Sequence, residues 1–216
     1  MDLFLKYGMD KHRVFLLPMM IDNQKFFRII KKQSSSILTF LYVGRLDPEK
    51  NVNLLINAFK SKFESNNNSV KLIIVGAGSC EKELKNKSES NKNILFKGKL
   101  FGDELIDTYH QADVLVLPSV FEPWGLVVNE ALSSGLAIIC SNAVGAADDL
   151  VIKQDAGWVF NSDDQKELEK LFSYCSEHQE EVKKKAQNGE TYMKNIWNYK
   201  NYKQNLEEIK NYVRSN

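Results

Sequence analysis

One alternation runs through most of this chain. Short, uniformly apolar runs take turns with longer stretches in which apolar side chains recur every three or four residues. Residues 37–43, "ILTFLYV", make one such run and end at Gly44. In "NVNLLINAFKSKF", Val52, Leu55, Ile56, Phe59 and Phe63 then recur at helical spacing, with Asn51 as candidate N-cap. Further strands are expected at 70–76, 93–98, 113–117 and 136–140, and a last short one, "GWVF", near 157. Helical patterns fall at 80–90, 102–112 and from about 125 to 134, and residues 163–216 are charged and helical. Strands this apolar need cover on both faces, which means a parallel sheet with helices on each side. The expected fold is α/β, a Rossmann-like doubly wound parallel sheet.

In such sheets ligands bind beyond the carboxyl ends of the strands. The loops "GRLDPEKN", "GAGS", "GKLFG" and "PSVFEPWG" all belong to that edge. "GAGS" is not a dinucleotide fingerprint. Gly76 and Gly78 supply G-x-G, but Glu81 stands where the third glycine belongs, and its charge would repel a pyrophosphate. Two glycines in a tight turn explain it better.

"GRLDPEKN" is more informative. Arg45 follows a strand end, and Lys50 stands at or just before the next helix, where a cation opposes the helix dipole. Two cations at one strand mouth make sense around an anion, which Arg grips bidentately and Lys as a point charge. The competing reading is local neutralisation by Asp47 and Glu49. In "FEPWGLVVNEALSSG", Gly125 lets backbone approach a ligand, and the amides after it open a helix whose N-terminus attracts phosphate. Glu130 falls inside that helix and Glu122 before it. A rise of about 1.5 Å per residue puts roughly 10 Å between them. That exceeds the about 5 Å between the carboxyls of a retaining glycosidase. The two acids suit different ends of one long ligand.

Composition narrows the classes. With 29 basic and 28 acidic side chains the net charge is +1, which gives no reason to expect nucleic acid. At 216 residues and 43% hydrophobic content, one domain or one domain with an appendage is expected. Cys80, Cys140 and Cys175 make neither a disulfide framework nor a metal pair, so a reducing cytoplasm is expected. "VFLLPMMI" (14–21) is too short to span a bilayer and contains Pro18. His12, His110 and His178 have no nucleophile near them and no metal-ligand spacing, and His110 reads as structural.

"YVGRLDPEKNVNLLINAF", "LIIVGAG", "ILFKG", "LIDTYHQADVLVLPSVFEPWGLVVNEALSSGLAII" and "VGAADDLV" together resemble the donor-binding half of family 4 retaining glycosyltransferases. Such enzymes have the GT-B fold of two Rossmann-like domains, and the match covers about residues 10–200. The resemblance implies that Arg45 and Lys50 bind the diphosphate of a nucleotide-sugar. It implies that Glu130 holds the ribose hydroxyls and that Glu122, at the sugar end near the reaction centre, is the catalytic candidate. The amides of Gly125, Leu126 and Val127 would meet the phosphates, Leu100 would border the base, and Gly44 is a further substrate-binding candidate. No cofactor and no metal are expected, since the nucleotide-sugar is itself a substrate. Two positions depart from the family: Ala137 stands where Pro is usual, and Asp155-Ala156 where Asn-Gly is common nearby.

The implied organisation has three parts. Residues 1–36 are the end of an N-terminal domain, with a last strand within 1–22 and a linker at "KKQSSS" (31–36). Residues 37–195 form the nucleotide-sugar-binding domain, and 196–216 a helix crossing back to the N-terminal domain, which would explain the aromatics of "WNYKNYKQ". The chain would then be the donor half of an enzyme, inactive without its N-terminal domain in cis or in trans. The implied reaction moves a sugar from a UDP- or GDP-sugar to a hydroxyl on a saccharide or lipid-linked acceptor, with retention. Bacterial surface polysaccharide biosynthesis fits best, in the cytoplasm or at the inner face of the membrane. Two alternatives stand beside it: a non-catalytic nucleotide-sugar-binding module, or a GT-B epimerase or glycogen-synthase-like enzyme.

Overall fold

A computed structural model describes residues 2–27, 37–65 and 67–215. The expected linker at 31–36 lies outside these residues. Six strands form one parallel sheet: β1 (Leu38–Val43), β2 (Val70–Val75), β3 (Ile94–Gly98), β4 (Val114–Leu117), β5 (Ala137–Ser141) and β6 (Gly157–Phe160), in the order β3-β2-β1-β4-β5-β6. Every residue of β1, β4 and β5 is buried, as their unbroken apolar runs require. The two edge strands depart from that pattern. Only Ile94 and Phe160 are buried in β3 and β6, because an edge strand has neighbours on one side only.

The helices of the sheet domain are α3 (Val52–Lys62), α4 (Glu81–Ser88), α5 (Gly102–Gln111), α6 (Leu126–Ser133), α7 (Gln165–Glu177) and α8 (Gln179–Asn195). Helix α3 packs on α4 and α7, whereas α6 packs on α8. Right-handed crossovers turn opposite ways on the two sides of β1, so these groups cover opposite faces. Under α3 and α7, Phe40, Phe59, Phe63 and Phe172 form one aromatic cluster, with Phe40 and Phe172 edge to face at 4.7 Å. Ala137 begins β5, fully buried. Asp155 takes a left-handed φ of 49° and receives the Lys185 ammonium at 2.5 Å.

The ends differ from expectation. Residues 2–27 hold no strand; they contain α1 (Asp2–Lys6), a 3-10 turn at Lys11–Arg13 and α2 (Asn23–Phe26). The stretch between turn and α2 runs without regular structure along helices of this same chain, so its backbone pairs with side chains instead of a strand. Asn205 donates to the Leu16 carbonyl at 3.1 Å, and Asn129 and Trp197 both donate to the Met19 carbonyl at 3.0 Å. Trp197 is buried here, its ring stacked on Trp124 at 5.8 Å and 10°. It therefore needs no second domain to cover it. Beyond it, α9 (Tyr199–Ser215) has no buried residue and sets Tyr212 against Phe15 at 5.3 Å.

Candidate functional site

Strand order reverses at β1, with β2 on one side and β4 on the other. The loops leaving β1 and β4 therefore diverge over the switch point where doubly wound sheets bind ligands. The β1 loop carries Arg45 and Lys50; the β4 loop carries Glu122 and Gly125.

The β1 loop is held by close backbone approach. A Cβ on Gly76 would lie 1.8 Å from the Gly44 carbonyl, and one on Gly78 2.5 Å from Leu46. The "GAGS" glycines thus let their loop rest on residues 44–46, where Leu46 donates to Ala77 at 3.0 Å and Cys80 to Leu46 at 2.8 Å. Gly44 itself faces the Tyr42 hydroxyl, which a Cβ there would meet at 2.8 Å. That hydroxyl donates to the Arg45 carbonyl at 2.6 Å. Ser79 donates its amide and its hydroxyl to Asp47 at 2.9 Å, and these bonds hold the carboxyl below its ordinary pKa. The ionised Asp47, with Glu49, takes the Arg45 guanidinium. For Arg45, local neutralisation therefore holds, although the side chain stays 66% exposed.

Lys50 behaves differently. It ends a 3-10 turn at Pro48–Lys50, and Asn51 follows in a left-handed conformation before α3. Its ammonium passes over Asp47 and Glu49 and meets Glu122 Oε2 at 2.6 Å, with both side chains about 15% exposed. Glu122 is set by the chain after β5. Its amide donates to Ala143 at 3.2 Å, and Gly145 donates back to the Glu122 carbonyl at 2.9 Å. Gly145 has no room for a side chain, since a Cβ would lie 2.0 Å from the Pro123 carbonyl. Two residues on, Gly125 adopts φ 91° as N-cap of α6. The first amides of α6, those of Leu126 and Val127, lie where a helix leaves its own donors unpaired. The structure thus brings Arg45, Lys50, Glu122 and the start of α6 to one edge. Leu100 lies half-buried in the loop after β3.

Glu130 sits one turn into α6, half-buried, and burial raises its pKa. Its Oε2 accepts from the hydroxyl of Tyr109 on α5 at 2.6 Å. Tyr109, Asn129, Trp124 and Ser79 are the supports that the motif reading missed. Tyr109 had a signal: an inward-facing tyrosine in an amphipathic helix needs a partner for its hydroxyl. His110 is structural, as expected, its Nε2 lying 2.8 Å from the Phe26 carbonyl. Among the described residues, no three His, Cys, Asp or Glu side chains group to hold a metal ion, and no helix is long and apolar enough to cross a membrane.

The doubly wound six-stranded parallel sheet is the Rossmann-like architecture seen in the GT-B glycosyltransferases that this chain is structurally similar to. Residues 23–192 match the family described as glycosyl transferases group 1, and the chain belongs to that family. It is 33% identical over 123 residues to the uncharacterised glycosyltransferase MJ1607 of Methanocaldococcus jannaschii, a match spanning 56% of this chain and 31% of that protein. Among solved structures, the C-terminal domain of the group 1 glycosyl transferase LpcC from Francisella tularensis superimposes with a TM-score of 0.73 at 21% identity. That match covers 83% of this chain and all of that one. Anabaena Alr3699/HepE, solved in complex with UDP-glucose, gives 0.75 at 19% identity over 97% of this chain and 61% of that one. The match thus spans about a third of MJ1607 and 61% of HepE, in each case less than two thirds of the longer protein.

Proposed function

We propose that this chain is the donor-binding half of a retaining family 4 glycosyltransferase, which moves a sugar from a nucleotide-sugar to a hydroxyl acceptor. The observation that carries the reading is the meeting of Lys50 and Glu122 at the switch point, from loops of adjacent strands. Such a pair leaves an ammonium, a guanidinium and a helix N-terminus within one edge, all suited to a diphosphate. UDP-glucose bound to the structurally similar HepE supports a nucleotide-sugar as the donor.

In this reading the diphosphate lies between Arg45, Lys50 and the amides of Gly125, Leu126 and Val127. As the glycosidic bond breaks, charge grows on the leaving diphosphate. Fixed cations and helix amides stabilise it without reorganising, which is how a preorganised site lowers a barrier. The ribose hydroxyls bind Glu130, the base lies by Leu100, and Glu122 reaches the sugar once the diphosphate takes its place beside Lys50. The acceptor site, an N-terminal domain in cis or in trans, and a role in surface polysaccharide biosynthesis belong to the same proposal. So do a cytoplasmic place and a metal-independent reaction.

Calorimetric titration with UDP, GDP and ADP, beside Glu130→Ala and Arg45→Ala, tests it. One nucleotide is expected to bind the wild type and to lose at least about tenfold in affinity in both variants. Binding that neither substitution alters would sink the reading.

A further inference from the structure

Tyr109 is fully buried, yet its hydroxyl points at a group of the proposed donor site. The ring is held edge to face by Phe26 at 5.8 Å and 81°, and the next residue, His110, contacts the Phe26 carbonyl. Helix α5 is thus fixed against α2 on one side while Tyr109 reaches α6 on the other. At 2.6 Å the hydroxyl takes Glu130 Oε2. A carboxylate has about four acceptor positions, so Oε1 and the second lone pair of Oε2 stay available.

We propose that Tyr109 is a positioning residue for nucleotide recognition: its hydroxyl fixes the Glu130 carboxylate in the one orientation that receives a ribose diol. The inference rests on the ribose role given to Glu130 above. A free Glu side chain on a helix face would order itself only on binding, and that ordering weakens affinity. Burial raises the pKa of both groups, and the bond from Tyr109 lowers that of Glu130. The tyrosine therefore remains a donor and favours the ionised acceptor.

The experiment compares wild type, Tyr109→Phe, Glu130→Ala and the double variant. The probes are whichever of UDP, GDP and ADP the wild type binds, and its 2′-deoxy counterpart. Tyr109→Phe is expected to weaken the ribonucleotide about tenfold and the deoxynucleotide by less than about twofold. It should add no loss in the Glu130→Ala background, because both changes remove one function. Equal losses for the two nucleotides, additive losses, or no loss would overturn the proposal, since a purely structural tyrosine behaves in those ways. If Tyr109→Phe fails to fold, Phe26→Leu removes the ring that braces Tyr109 and must weaken the ribonucleotide more than the deoxynucleotide; equal losses would overturn the proposal. A folded wild type that binds none of the three nucleotides overturns the donor-site reading and this inference together. Wild-type binding lost in Glu130→Ala but unchanged in Tyr109→Phe overturns the inference alone.

Discussion

Lys50 and Glu122 meet at 2.6 Å across 72 residues of sequence, joining the loops that leave neighbouring strands β1 and β4. Both side chains are largely covered, so their attraction is less screened than that of a surface pair. In the proposed reading a diphosphate would compete with this carboxylate for the Lys50 ammonium. Glu122 is in that sense an anion already bound.

From this follows a prediction opposite in sign to the usual effect of removing a site residue. Glu122→Gln keeps the shape and removes the competing charge, so affinity for a nucleoside diphosphate should rise about three- to tenfold. Lys50→Met should lower it by at least as much, and the gain in Glu122→Gln should shrink as salt rises. Calorimetry at two ionic strengths measures both. If Glu122→Gln weakens binding as Lys50→Met does, the exchange between carboxylate and diphosphate does not occur.

Gly145 offers a test of how the Glu122 loop is aimed. A methyl group there would stand 2.0 Å from the Pro123 carbonyl and 3.2 Å from Trp124 Cα, both backbone atoms that cannot rotate aside. Gly145→Ala should therefore push residues 122–124 away from 143–146 and cost about 1–3 kcal/mol. At about 2–4 °C per kcal/mol for a chain of this size, the melting temperature should fall by several degrees. Nucleotide affinity should fall with it. An alanine variant that melts and binds like wild type would mean that the loop has room it does not display.

Much of this was legible in the sequence. The central strands could be read because burial on both faces leaves them almost wholly apolar, and Arg45, Lys50 and Glu122 could be named as candidates because they follow strand ends in the sequence. Partners across the fold could not be read. Nothing local says that Lys50 pairs with Glu122 while the nearer Asp47 and Glu49 take Arg45, or that Ser79, on another loop, donates to Asp47. The aromatics near the C-terminus called for burial, but sequence could not say that Trp124 and residues 14–23 would provide it for Trp197.

Glu130 gives a dependence on pH. Burial raises its folded-state pKa above the ordinary value, with the Tyr109 hydroxyl opposing. The folded chain therefore holds this proton more tightly than the unfolded chain. The stability so gained is complete below the ordinary Glu range and is lost as pH rises through the folded-state value. Glu130→Gln does not titrate, so wild type should lose stability relative to it from about pH 4.5 upward and level off once the folded carboxyl is ionised. Melting curves of both proteins across pH 4–8 measure the difference. A constant gap, or one of opposite slope, would show that the carboxyl is well solvated.

Asn129 ties helix α6 to the segment before α2. It is fully buried in α6, next to Glu130, and uses both ends of its amide. Nδ2 donates to the Met19 carbonyl and Oδ1 accepts from Trp124 Nε1, each at 3.0 Å. Trp197 Nε1 donates to the same Met19 carbonyl, and its ring stacks on that of Trp124. Asn129→Leu keeps the branched heavy-atom skeleton but strands the Trp124 donor, while Met19 retains one partner. The cost should be about 1–3 kcal/mol, or roughly 5 °C in melting temperature. Asn129→Asp should be worse, because a buried carboxylate would face the Met19 carbonyl with no proton to give it. The coupled near-ultraviolet circular dichroism of Trp124 and Trp197 should weaken in both variants before unfolding begins. If Asp is tolerated better than Leu, the amide is not arranged this way, and the segment before α2 does not brace the Glu122 loop.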